Sequence, residues 1–345
     1  MKDIAAKAGC SVMTVSLALR DNPRISLETR ERIRALATSM GYRPNPMVAT
    51  LMAHISSGRS IQYQANLAFL VSKKVWMHPW IKSRVFEGIR QRAEALGFLI
   101  DIFWTEDYAG HPGRIEKILR SRNIQGVIVA PLPESGNLDN FEWSEWSAAS
   151  IGNSLLVPRL HRITHHQFHG MALIHEILRK KGYSRIGLAV DKLTDDKVDH
   201  NWSSCAAGIQ LRLPSRECVP VFLGELNPEP LSHWLKKYRP DAVIGHDGLL
   251  ENLLDVGVCI PTELAFAHVS LPSTFSSRKL SGLDQNWPVV GAAAVDTVVA
   301  QIHRNERGIP SHPKTVMIEG RWIEGETVPG VTVDLPRSTK ARQRR

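Results

Sequence analysis

The chain opens on three short stretches in which apolar residues recur at helical spacing. Lys2–Ala8 reads as a first helix, stopped by Gly9. Ser11 is placed to cap a second helix over Val12–Leu19, and Ser26 to cap a third that ends near Gly41. On the second helix Val15, Ala18 and Leu19 share one face and are expected to pack inward. Met13, Leu17 and Arg20 point the other way. Two helices joined by a short Gly-containing turn form a helix-turn-helix, whose second helix enters the major groove of DNA.

A fourth helix is predicted over 45–53, with Asn45 as its N-cap and Pro46 at its first position. Isolated helices shorter than about 12 residues are marginal in water, so this one should fold only against a partner. Ser56-Ser57-Gly58-Arg59-Ser60 then reads as a flexible linker.

From Asn66 to about Pro329, strand-like and helix-like segments alternate. Strands are expected at Leu67–Val71, Leu99–Phe103, Gly126–Val129, Arg185–Val190, Val219–Leu223, Ala242–Gly245 and Leu264–Val269. Helices are expected near Val85–Leu96, Arg114–Ser121, Phe168–Lys181, Trp202–Leu213 and Pro230–Lys237. This alternation implies an α/β body of parallel sheets. The segment is too long for one such sheet, so two lobes with a ligand cleft between them are expected. The organisation is therefore a helix-turn-helix head at 1–43, a hinge helix and linker at 44–65, a two-lobed body at 66–330, and a polar, basic tail at 331–345 that reads as disordered. No internal repeat is present.

Composition adds exclusions. With 43% hydrophobic and 22% charged residues the chain is an ordinary globular sequence. No apolar run reaches the roughly 18 residues a membrane span needs. The start, Met1-Lys2-Asp3-Ile4, lacks an apolar signal-peptide core, which argues against secretion and for the cytoplasm. Cys10, Cys205, Cys218 and Cys259 are widely spaced and read as reduced thiols. The net charge of +9 is concentrated at the ends. Residues 1–60 carry nine Lys/Arg against four Asp/Glu, and residues 337–345 carry five Arg/Lys with no acid. A basic head on a nearly neutral body suits nucleic acid at one end and another task elsewhere.

Several spaced patterns then stand out. The head holds Asp3-Ile4-Ala5-Ala6-Lys7-Ala8-Gly9-Cys10-Ser11, Thr14-Val15-Ser16, Ile25-Ser26, Thr29-Arg30 and Gly41-Tyr42-Arg43-Pro44-Asn45. The body holds Gly182-Tyr183-Ser184-Arg185-Ile186-Gly187, Pro240-Asp241-Ala242-Val243, Ser281-Gly282-Leu283-Asp284-Gln285-Asn286-Trp287, Gly291-Ala292-Ala293-Ala294 and Ile318-Glu319-Gly320-Arg321. In these residues the chain resembles the lactose/galactose repressor (LacI/GalR) family of transcription regulators over nearly its whole length.

The resemblance implies phosphate contacts from Ser11, Thr14, Ser16 and Ser26, although Ser11 and Ser26 also serve as helix caps. Free N–H groups at a helix start attract phosphate, so the two roles are compatible. It places base reading on Val12, Met13 and Leu17, where better-known members often carry polar side chains. Apolar groups there touch a thymine methyl but cannot separate G from A by bidentate bonds, which shifts the reading toward Arg20, the backbone and DNA shape. Leu17 has a core alternative. Leu51 matches the family's leucine wedge in the central minor groove; a linker contact or packing on its symmetry mate is the alternative.

The body is similar to periplasmic sugar-binding proteins. The resemblance puts effector contacts on Trp80, His166, Cys205, His246, Asp247, Ser270, Gln285 and Trp287, with a core role open for Trp287. Sugar-binding members usually carry an acid at His166, an arginine at Cys205 and an aspartate at Ser270. A simple neutral monosaccharide is therefore in doubt, and His200, Asn201 and Trp202 stand near enough to replace the arginine. His161, His165, His166 and His169 lack a neighbouring carboxylate or cysteine, which favours cleft or surface roles over a metal.

No GxGxxG, P-loop, GxSxG or HExxH is present. The expectation is a homodimeric, non-enzymatic regulator of an operator in double-stranded DNA. It would respond to a small molecule, a sugar or sugar derivative, with no cofactor. A solute-binding protein of the same fold and a nucleotide-using α/β enzyme are the alternatives, and a DNA pull-down separates them from it.

Overall fold

A computed structural model describes residues 2–11, 14, 15, 18, 25–40, 65–108, 111, 113–271 and 279–330. The chain forms two compact units, Met1–Gln62 and Tyr63–Arg345.

In the first unit, α1 (Lys2–Ala8) and α2 (Leu27–Ser39) flank a helical stretch of which Thr14, Val15 and Ala18 are described. Ile4, Ala5, Val15, Ala18, Ile33 and Ala37 form its core. The inward face expected for the second helix is thus occupied at Val15 and Ala18, both fully buried. Val12, Met13, Ser16, Leu17, Leu19 and Arg20 lie outside the described residues, as do the 45–53 helix with Asn45 and Leu51, the linker and the basic tail.

The second unit holds two α/β lobes. The first lobe's sheet runs in the order β13-β7-β5-β3-β1-β2, every pair parallel. Its strands are β1 (Ala65–Val71), β2 (Phe98–Trp104), β3 (Gly126–Val129), β5 (Ser147–Ile151), β7 (His161–His165) and β13 (Thr315–Ile318). A two-stranded ribbon, β4 (Gly136–Asn137) and β6 (Leu155–Val157), lies apart. The second lobe is built on β8 (Ile186–Val190), β9 (Phe222–Leu223), β10 (Ala242–Gly245), β11 (Ala265–His268), β12 (Ser281–Asp284) and β14 (Arg321–Ile323). Their order is β14-β12-β11-β10-β8-β9, and β14 is antiparallel to β12.

The central strands of each sheet, such as β3 and β10, are buried on both faces, as strands covered by crossover helices must be. The first lobe carries α3 (Lys73–Trp76), α4 (Glu87–Ala95), α5 (Arg114–Ser121) and α11 (Trp287–Arg304). The second carries α6 (Gln167–Lys180), α7 (Lys192–Lys197), α8 (Asn201–Gln210), α9 (Pro228–Tyr238) and α10 (Asp247–Asp255). A π-helical stretch, Ile81–Phe86, runs into α4. α4 and α11 touch at two glycines. A Cβ on Gly88 would sit 2.0 Å from the Pro288 carbonyl oxygen, and one on Gly291 2.3 Å from that of Val85.

The chain passes between the lobes three times: from β7 into α6, from β12 into α11, and from β13 into β14. His165 sits where these passages meet. A Cβ on Gly170 would lie 2.6 Å from its Nε2, and one on Gly320 2.7 Å from its Cε1. Burial pushes its pKa down to about 4.

The alternation and the two lobes follow the sequence pattern, and β3 and α5 match it residue for residue. The pattern did not point to β5, β12, β13, β14, α10 or α11. The β5 segment, Ser-Ala-Ala-Ser-Ile, carries small residues in place of the branched side chains that mark a strand. The strand expected over Val219–Leu223 shrinks to Phe222–Leu223 because Pro220 has no N–H to give the ladder. Among the described residues no helix is long and apolar enough to cross a membrane.

Candidate functional site

In the head, the Ser11 Oγ accepts from the Thr14 N–H at 3.0 Å and meets the Thr14 hydroxyl at 2.9 Å. Ser26 repeats the arrangement: its Oγ accepts from the Thr29 N–H at 3.3 Å and donates to the Thr29 hydroxyl at 2.8 Å. Each cap fixes a helix start and leaves its serine exposed. An exposed hydroxyl beside free N–H groups at a helix start can serve an anion as well as the helix.

In the body, a recess opens where the sheets' carboxyl ends face one another, the usual ligand position in such folds. It is lined by Lys74, His78, Trp80, Pro131, Pro133 and Lys197, with Val75 and Leu132 completing the wall. Lys74 and Trp80 follow β1, the prolines follow β3, and Lys197 comes from the second lobe after β8. Trp80 packs on Trp287 at 4.7 Å between ring centroids, tilted by 37°. Trp287 opens α11 directly after the second passage and is largely buried. The structure thus brings two candidate aromatics together.

The second lobe supplies two polar assemblies. Gln167, at the start of α6, accepts from the Trp202 indole N–H at 2.9 Å and from the Gln285 amide at 3.3 Å. Gln285 also donates to the Val269 carbonyl at 3.2 Å. Asp191 caps α7, accepting from the Thr194 N–H at 2.8 Å and the Thr194 hydroxyl at 2.7 Å, and pairs with His246 Nε2 at 3.0 Å. Burial alone would raise the Asp191 carboxyl; the bonds from His246 and Thr194 outweigh it and hold the group well below the usual carboxylate range.

The other candidates are placed as follows. His166 caps α6, accepting from the His169 N–H at 3.3 Å. The Ser270 N–H donates to His268 Nδ1 at 3.0 Å. Asp247 opens α10. Trp202 and Cys205 lie in the apolar core of the second lobe, where burial pushes the Cys205 thiol up to about 11. His200 stands apart from that core, its Nδ1 3.2 Å from Asp195. The described residues hold no group of three His, Cys, Asp or Glu that could bind a metal.

Sequence reasoning missed Gln167, Asp191, Lys74 and Lys197. Asp191 carried a usable signal, since it directly follows a strand in an α/β body. It also missed a charge cluster at the passages. Asp284 accepts from Arg84, on the π-helical stretch, and from Arg321 at 3.2 Å, and it also accepts the Asn286 N–H at 3.1 Å. Burial opposes its charge, and Arg84 foremost restores it, leaving the carboxyl below its ordinary range. π-bulges frequently sit at functional positions, and this one carries both Trp80's neighbour segment and Arg84.

The described parts are thus a helical head and a two-lobed α/β body with a recess at the carboxyl ends of its strands. Comparison with known proteins agrees. Residues 1–45 match the model of bacterial regulatory proteins of the lacI family, and residues 175–328 match a periplasmic binding protein-like domain. The transcriptional repressor CytR of Escherichia coli is 33% identical over 133 residues, 37% of this chain and 35% of that protein. The regulator DegA of Bacillus subtilis is 29% identical over 133 residues, 39% of this chain and 36% of that protein. The chain therefore spans about a third of the length of these curated relatives in alignment. Among solved structures, a regulator CelR–cellobiose complex superposes with a TM-score of 0.54 at 15% identity, covering 94% of this chain and 98% of that one. The lac repressor dimer bound to operator and an anti-inducer gives 0.53 at 16% identity, covering 95% and 98%. The head is thus similar to those of the lacI family of bacterial regulatory proteins, and the body to periplasmic binding protein-like domains.

Proposed function

We propose that this chain controls transcription by binding a palindromic operator as a homodimer, under the control of a small molecule held between the lobes of its body. The observation that carries this reading is the combination in one chain of a capped helix-turn-helix head with a recess whose walls come from both lobes. Ser11, Thr14, Ser16 and Ser26 hold phosphates, while Val12, Met13, Leu17 and Arg20 face the major groove. Asn45 caps the hinge helix that inserts Leu51 into the central minor groove. The effector's ring lies against Trp80 and Trp287, with His166, His246, Asp247, Ser270 and Gln285 around it. Trp202 acts from behind, through Gln167. The cellobiose bound to the similar regulator supports a sugar or sugar derivative.

The test is selection of DNA by the purified chain from a random pool, followed by footprinting. An imperfect palindrome with affinity that falls steeply with salt is expected, because two-fold protein symmetry needs a matching site and phosphate contacts dominate. A single asymmetric half-site overturns the dimer reading. Leu51→Ala should weaken specific binding by about 1–3 kcal/mol, with random DNA bound as before. Equal losses on both would remove the wedge.

A further inference from the structure

Lys197 is the odd residue of the recess. It sits half-buried on α7, and burial pulls its pKa below the ordinary lysine range. Asp191 and Glu134 favour its charge from nearby, but neither makes a direct contact with it. Asp191 spends its oxygens on Thr194 and His246. Glu134 lies 3.8 Å from Lys74, both of them exposed. Lys197 forms no hydrogen bond or ion pair among the described residues. A half-buried ammonium with no direct partner is poorly solvated, and an incoming anion relieves that cost while making charge-assisted bonds. Lys74 lines the same recess from the first lobe, so one lysine faces it from each lobe. Trp80 supplies an apolar face next to it.

We propose that the effector carries a negatively charged group, a carboxylate or a phosphate, which binds between Lys197 and Lys74 while its ring lies against Trp80. The inference rests on the reading of this recess as the effector site and adds the charge of the ligand to it. It also gives the first lobe a part in closure, because the anion ties Lys74 of one lobe to Lys197 of the other. The Cys205 position, buried and held neutral, takes no part.

Matched sugars test this by titration calorimetry on the intact chain: glucose, glucuronate and glucose 6-phosphate, the corresponding galactose set, and ribose with ribose 5-phosphate. An anionic member should bind at least about tenfold more tightly than its neutral parent, and Lys197→Gln should weaken it by about 10- to 100-fold. The carboxylate and phosphate arms tell which anion fits. Lys180→Gln, an exposed lysine paired with Glu176, should leave the affinity unchanged. Equal binding of a neutral parent overturns the proposal, as does an affinity unaltered in Lys197→Gln or the failure of every anionic member to bind. Trp80→Ala separates the two readings. A neutral sugar that loses affinity in Trp80→Ala leaves the recess as the effector site and removes only the charge inference. An anion that binds Lys197→Gln and Trp80→Ala as it binds the parent chain removes both.

Discussion

The two lobes that flank the recess are built on different plans. On the second lobe the polar groups are matched to one another: Asp191 with His246 and Thr194, Gln167 with Trp202 and Gln285. On the first lobe Lys74 and His78 are exposed, and Trp80 packs on Trp287, which the chain delivers on its way back from the second lobe. The second lobe's polar groups are prearranged, while those of the first lobe stand exposed. Under the proposed function, groups already arranged avoid much of the ordering cost of association, so the second lobe would take the ligand with little rearrangement.

The contrast depends on the first lobe holding Trp80 and Trp287 in register, and that register is set by α4 against α11. Gly88→Val should have the largest effect. Its Cβ meets backbone oxygen of Pro288, which cannot rotate away, so the helices must part. A loss of about 3 kcal/mol, the upper end for overpacking, is expected in urea unfolding. Gly208→Ala on α8 is the counterpart, with nothing within 4 Å of its Cβ, and should stabilise by up to about 1 kcal/mol. If both behave alike, the close helix contact is not what frames the first lobe.

The joint between the lobes should answer to pH. His165 is held near 4 in the fold by burial, against 6.5 unperturbed. Its folded value is the lower, so between these values the unfolded chain binds more protons. Stability is therefore retained above about 6.5 and lost as pH falls toward about 4. By this group alone the chain should be about 2 kcal/mol less stable at pH 5 than at pH 7. His161 and His175, also lowered chiefly by burial, act in the same direction. His165→Gln should flatten the slope without abolishing it. A slope unchanged in that variant would clear His165 of the effect.

The prearranged polar groups were also the part least visible in the sequence. The head was readable because its signals are local: Ser11 and Thr14 or Ser26 and Thr29 lie three residues apart, within the reach of a cap. The alternation of strands and helices was readable for the same reason. Gln167 gave no such sign, since its partners stand 35 and 118 residues along the chain. Lys197 closes the run Lys192-Leu193-Thr194-Asp195-Asp196-Lys197, which reads as a solvated helix face, yet in the fold it is half-buried beside first-lobe residues of the recess. The returning strands β12, β13 and β14 are short and acquire their identity from partners far away in sequence. Trp80 and Trp287 were named by resemblance, yet only the fold puts one ring on the other.

The smallest effect should come from the outer half of the cluster at Asp284, and it sharpens the contrast between buried and exposed partners. Two arginines share this carboxylate. The Arg84 side chain is 19% exposed and that of Arg321 is 69% exposed. Arg321 therefore spends most of its charge in water, where an ion pair contributes little and salt screens what remains. Arg321→Ala should cost less than about 1 kcal/mol and vanish into error at high salt. The same substitution made on Arg84→Ala should cost more, because Asp284, itself only 10% exposed, then loses its last cation and is left as an unpaired buried charge. The measurement is a double-mutant cycle by urea unfolding, in which the pair of changes exceeds the sum of the singles. Strict additivity would mean that the two arginines act independently and that Arg84 alone carries the link between the first lobe and the second passage.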